Sequence, residues 1–145
     1  MATDAFAVDA AVIAALRADG ALMSLCPGGV WYGTARPGTT AVVIVDRFDH
    51  VVDNNLFDAP AAETFTYMVK AVLPDTSDER QAGEAAARIR AVLAENVVLM
   101  ANGYVQQAPM VEVQGLRYPE VDPTNPDRIV QHAGGQYEVH VQQID

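Results

Sequence analysis

Between Glu63 and Leu73 the chain alternates: Phe65, Tyr67, Val69, Ala71 and Leu73 fall on one face of an extended segment, and Thr64, Thr66, Met68 and Lys70 on the other. A two-residue period of this length fits a strand with one face on a core and rules out a helix. Pro74 ends it. Thr76-Ser77-Asp78-Glu79 then has the spacing of a capping box, in which the Thr76 hydroxyl accepts from the amide near Glu79 and the Glu79 side chain reaches back. The helix expected there carries Ala82, Ala85, Ala86, Ile89, Val92 and Leu93 as its apolar stripe, pairs Glu84 with Arg88 on its exposed side, and closes at Asn96. This strand–turn–helix unit sets the architecture, because each element needs the other's apolar face.

The flanking segments extend the same pattern. Val8, Val12, Ala15 and Leu16, widened by Ile13, predict a first helix over about residues 5–19, capped by Thr3 or Asp4 and ended by Gly20 as the C′ residue. Ala21 to Leu25 allow one further turn before Cys26-Pro27-Gly28-Gly29 breaks it. Val30-Trp31-Tyr32 reads as a short strand, residues 35–40 around Pro37-Gly38 as loop, and Ala41 to Val45, apolar on both faces, as a central strand. Residues 46–63 read as a long acid-rich loop. Val97 to Val105 form a hairpin about Asn102-Gly103, and Pro109 demotes the next segment to an edge or a bulge before Val111, Val113 and Leu116 resume. Pro119, Pro123 and Pro126 with Asp122, Asn125 and Asp127 predict a loop, and Tyr137, Val139 and Val141 a terminal strand. The expected class is α+β: a single mixed, mostly antiparallel β-sheet covered by two main α-helices, one domain over residues 1–145.

The net charge of −10 works against tight DNA binding, since phosphates are repelled wherever the few bases do not cluster. Cys26 is the lone cysteine, so no intrachain disulfide forms and a reducing compartment fits. The N-terminus lacks the basic-then-apolar pattern of a signal peptide, and no run nears the roughly 18 apolar residues of a membrane span. A soluble protein, made in the cytoplasm, is expected.

Chemistry is sparse. His50, His132 and His140 have no metal-ligand spacing, and the tight group Asp46, Asp49, His50 and Asp53 lacks the glycine and terminal glutamate of an EF-hand. It reads as a solvated acidic loop, with a divalent-cation or general-base site as the alternative. Asp122 to Asp127 is better explained by turn-forming Asp, Asn and Pro than by calcium. The two serines, Ser24 and Ser77, lie in no nucleophile elbow, and Gly28-Gly29 precedes a strand and not a helix, unlike a phosphate loop. Arg80, Arg88 and Arg90 are interspersed with acids and read as a salt-bridged face. Trp31-Tyr32 reads as a core or interface anchor.

Taken in order, the parts "LRADGALMSL", "GGVWYG", "PGTTAVVIVD", "ETFTYMVKAVLPDTSDERQAGEAAARIRAVL", "VVLMANGYV" and "DRIVQHAGGQYEV" resemble the tail-terminator, or tail-completion, proteins of long-tailed bacteriophages over nearly the whole chain. The resemblance implies a non-enzymatic virion protein without cofactor. Such a subunit forms a ring, commonly a hexamer, that caps the tail tube and faces the head connector or stopper at the head–tail junction after assembly in the host cytoplasm. The long 46–63 segment and the proline-rich 119–126 insert depart from the pattern. In that setting Asp46, Asp49, Asp53, Asn54, Asn55, Leu56, Phe57 and Asp58 are expected to line the lumen, where their charge lets DNA pass without sticking, or to bridge to a neighbouring subunit through the apolar residues among them. Another neck component, such as a connector stopper or minor tail protein, is the alternative, and a small metal- or ligand-binding domain built on Asp46 to Asp53 a further one.

Overall fold

A computed structural model describes residues 5–34, 40–53, 62–74, 78–97, 100–122 and 125–143. In chain order the elements are α1 (Ala5–Arg17), α2 (Gly20–Leu25), β1 (Val30–Tyr32), β2 (Val42–Asp53), β3 (Ala62–Leu73), α3 (Glu79–Ala94), β4 (Met100–Ala101), β5 (Tyr104–Gln106), β6 (Val111–Asp122) and β7 (Asn125–Gln143). The strands form one sheet in the order β1-β2-β3-β7-β5-β4, with β6 also on β7. Among the described residues only β1 and β2 run parallel, so the sheet is mixed and mostly antiparallel, and the α+β class read from the sequence holds. The β5 and β6 strands share the free side of β7, β5 beside Val141–Gln143 and β6 beside Asn125–Glu138.

Side-chain alternation decides where the core sits. Val43 and Val45 of β2, Phe65, Tyr67, Val69 and Ala71 of β3, and Tyr137 and Val139 of β7 are buried with Val8, Val12 and Leu16 of α1 and with Ala82, Ala85, Ile89 and Leu93 of α3. Each larger apolar side chain so buried contributes about 1.5–3 kcal/mol relative to exposure. The alanines of α3 keep that helix close to the sheet. The opposite face, with Thr64, Met68 and Lys70, is only partly buried, and no described helix covers it.

Four local expectations are corrected. Gly20 does not end α1 but opens α2, because Asp19 caps α2 by accepting from the Leu22 amide at 3.0 Å. Arg88 consequently bonds Asp19 through Nε at 3.0 Å, and Glu84 pairs with Arg80 at 3.1 Å. The start of α3 is set by Asp78, whose Oδ1 accepts from the Gln81 amide at 2.8 Å; Thr76 lies outside the described residues, as do Thr3 and Asp4. The proline-rich segment is a hairpin, with Pro119 opposite Gln131 and Val121 opposite Ile129, since proline is tolerated on a strand with no partner on its outer side.

The largest correction concerns residues 46–63, which are not one loop: β2 runs through Asp53, β3 begins at Ala62, and the two pair in register from Asp46↔Met68 to Asp53↔Ala62. Phe48, Val51 and Val52 favour extended backbone, and a bulge between Arg47 and Asp49 lets the strand absorb its polar residues. Asn54, Asn55, Leu56, Phe57 and Asp58 lie outside the described residues.

Candidate functional site

The acidic segment is the outer strand of a hairpin. Because β1 ends opposite Val45, β2 from Asp46 to Asp53 has no strand on its outer side among the described residues. Asp46 and Asp49 stand opposite Met68 and Thr66, on the face away from the helices, and both are exposed. Arg47 and His50 stand opposite Tyr67 and Phe65, on the helix side. Alternation therefore separates the aspartates from the histidine, and among the described residues no three His, Cys, Asp or Glu side chains come together to hold a metal.

The helix-side residues are spent on the fold. Tyr67 OH donates to Asp9 Oδ1 at 2.6 Å, a buried contact that ties α1 to β3, and Arg47 Nη1 lies 3.8 Å from the same oxygen. The Arg47 guanidinium also sits 5.6 Å from the Phe6 ring and 5.8 Å from Phe65, within cation–π range. Burial, then the hydrogen bond and charge of Asp9, push the Tyr67 phenol far above its ordinary value. Asp9 is a group the sequence reading missed. Its position three residues before Val12 and seven before Leu16, on the apolar stripe, was the signal that it points inward.

Further along, His50 stacks on Phe65 with ring centroids 4.1 Å apart and brings Nε2 to 2.7 Å from Glu63 Oε1. Gln143 Nε2 donates to the other oxygen at 2.8 Å, which joins β2, β3 and β7 at one buried carboxylate. Glu63 is thus a fastening group and no part of the solvent-facing acidic surface. What the hairpin shows outward is Asp46 and Asp49 with the exposed Phe48, Val51 and Val52; Phe6, Trp31 and Tyr32 add further exposed aromatic surface on α1 and β1.

Fold and surface together define a class: a small α+β subunit with one sheet face uncovered by helix, and an acidic, partly apolar hairpin at one sheet edge. The family model described as "Tail completion protein gp17" matches residues 10–123, and the chain belongs to that family. A solved chain titled "Virion of native gene transfer agent (GTA) particle" is similar in fold, with TM-score 0.59 and 22% identity over 95% of this chain and 96% of that one. A second solved chain gives TM-score 0.53 and 16% identity over 99% of each. No curated protein matches the chain.

Proposed function

We propose that the protein is a non-enzymatic virion component that closes the tail tube of a phage-like particle as a homo-oligomeric ring, commonly a hexamer, at the head–tail junction. Membership of the tail-completion family over residues 10–123 carries this reading, and the likeness in fold to a chain of a gene transfer agent particle supports it. The ring meets the tail tube protein on one side and the head connector or stopper on the other. The β2–β3 hairpin, together with residues 54–58 that follow β2 in the sequence, is its lumen-facing or inter-subunit element. Asp46 and Asp49, exposed and without a basic partner among the described residues, present negative charge that DNA slides past. Phe48, Val51 and Val52 supply apolar contact to a neighbour.

Light scattering of the purified protein across a concentration series tests the ring: a closed oligomer is expected, and a monomer at every concentration, also in the presence of tail tubes, overturns it. Asp46→Lys/Asp49→Lys tests the hairpin separately. A subunit of unchanged fold that no longer yields DNA-delivering particles is expected; full particle yield and delivery would remove the hairpin's role.

A further inference from the structure

We propose that His132 is a proton-operated fastener of the β6–β7 arm, closed at neutral pH and opened by acid. The arm is defined by register. Pairing of β3 with β7 stops at Leu73↔Gln131, so among the described residues β7 from Asn125 to Val130 has only β6 beside it. Just inboard of that point the imidazole of His132 lies flat on the Tyr118 ring of β6, with centroids 4.5 Å apart and planes within 8°. Lys70 of β3 donates through Nζ to Tyr118 OH at 2.9 Å and sits 5.5 Å from that ring's centroid. Three strands therefore meet at one stack, on the sheet face opposite the helices.

The imidazole is built to be neutral there. Its side chain is only 7% exposed and neither ring nitrogen makes a hydrogen bond of good geometry: Nδ1 is buried without a partner, and Nε2, also buried, lies 2.7 Å from Glu120 Oε2 at an unfavourable angle. The charged groups facing it are Lys70 from β3 and Glu120 from β6; its register partner on β3 is the apolar Val72. Glu120 is 53% exposed, so water screens its pull on a proton, whereas the desolvation of the ring is unscreened. Burial first and Lys70 second hold the His132 imidazole below its ordinary value.

The sign follows. A depressed value means that the closed stack contributes fully above the ordinary imidazole range and is lost as pH falls below that range through the depressed midpoint. A proton on the ring places a buried cation beside the Lys70 ammonium, and the strain is relieved if β6 swings Tyr118 and Glu120 away. Among the described residues the polar ties from β6 to the helices are mostly at the surface: Arg117 Nη2 donates to the Glu79 carbonyl at 3.0 Å and pairs with its carboxylate at 3.7 Å, both side chains exposed, and Arg90, exposed, pairs with half-buried Glu112 at 3.2 Å.

The test is NMR on the full chain between pH 7.5 and 5.0, following the histidine side chains and residue-by-residue amide exchange corrected for its intrinsic pH dependence. Expected are a His132 midpoint below that of a free histidine, a higher midpoint in Lys70→Met, and a loss of protection in residues 116–122 and 126–131 that α3 does not share. The loss scales as about tenfold per unit of depressed midpoint. His132→Phe, which stacks without titrating, removes the pH dependence; His132→Gln serves if that variant does not fold. A midpoint at or above the free value, or an acid-induced opening that persists in these variants, overturns the proposal.

Discussion

The stability of the whole sheet is expected to hinge on a missing side chain at Gly134. A Cβ placed there meets the Val69 carbonyl oxygen at 2.1 Å and Lys70 Cα at 2.5 Å, both backbone atoms of β3, a strand held on its other side by β2. No rotamer change relieves that clash; β7 must move away from β3. The displaced stretch is Val69↔Gly135, Lys70↔Gly134 and Ala71↔Ala133, an interior part of the β3–β7 ladder. Overpacking typically costs about 1–3 kcal/mol, and one or two weakened ladder bonds add about 1 kcal/mol each, so Gly134→Ala is expected to lose about 2–5 kcal/mol. At roughly 4 °C per kcal/mol for a chain of this size, Tm falls by about 8–20 °C. The control is Gly83→Ala in α3, where an added Cβ meets nothing within 4 Å and helix propensity gains about 1 kcal/mol. Urea unfolding at one fixed protein concentration, with the slope unchanged, separates the two from any effect of self-association. A Gly134→Ala protein within about 1 kcal/mol of the parent would refute the reasoning, as would a Gly83→Ala protein equally damaged.

Asp9→Ala removes the acceptor of the Tyr67 hydroxyl and the carboxylate beside half-buried Arg47, and urea unfolding should show a loss of about 3 kcal/mol; Asp9→Asn, which still accepts from Tyr67, should lose about half as much. Asp19 caps α2 and bonds Arg88, and the Arg88 hydrogen bond holds its carboxyl below the ordinary value of 3.8. Its contribution is therefore present above the ordinary carboxylate range and lost as pH falls below it; Asp19→Ala should cost about 1–2 kcal/mol at pH 7 and flatten the acid limb of a stability–pH curve. Burial pushes the Cys26 thiol up to about 11, so at pH 8 a thiol reagent should label the native chain about a hundredfold more slowly than the urea-unfolded chain, and equal rates would contradict the buried placement.

The elements whose apolar residues keep a clean period were legible in the sequence. The β3 strand and α3 are marked by Phe65–Leu73 and Ala82–Leu93 because one face of each is buried, and burial is what a period records. The distal end of the β6–β7 hairpin, read as loop around Pro119 to Asp127, and the far half of β2 were not legible. Each has a sheet edge or an uncovered face to accommodate polar residues and proline, and there composition resembles that of a loop. One cap was legible as a class but not in place: Asp78 does the work expected of Thr76, since Ser, Thr, Asp and Asn compete for one geometry that only the final backbone settles, and the Asp19 cap of α2 was not foreseen.

The acidic hairpin shows why counting charges along a segment misjudges a surface. Residues 46–63 carry five acids and one base, a formal −4. Folding removes Glu63 from that sum, buried against His50 and Gln143, and turns Arg47 inward toward Asp9, a residue 38 positions earlier in the chain. The two changes oppose each other: one hides a negative charge, and the other takes away the only base of the segment that could have screened Asp46 and Asp49. The two cancel in the formal sum, and what they leave is Asp46 and Asp49 unneutralised and beside Phe48, Val51 and Val52. A surface that must let DNA slide needs acids without bases, and one that must meet a neighbour needs apolar area. The strand's two-residue period supplies the first by sorting Asp46 and Asp49 away from Arg47 and His50, and the bulge that leaves Phe48 exposed contributes to the second.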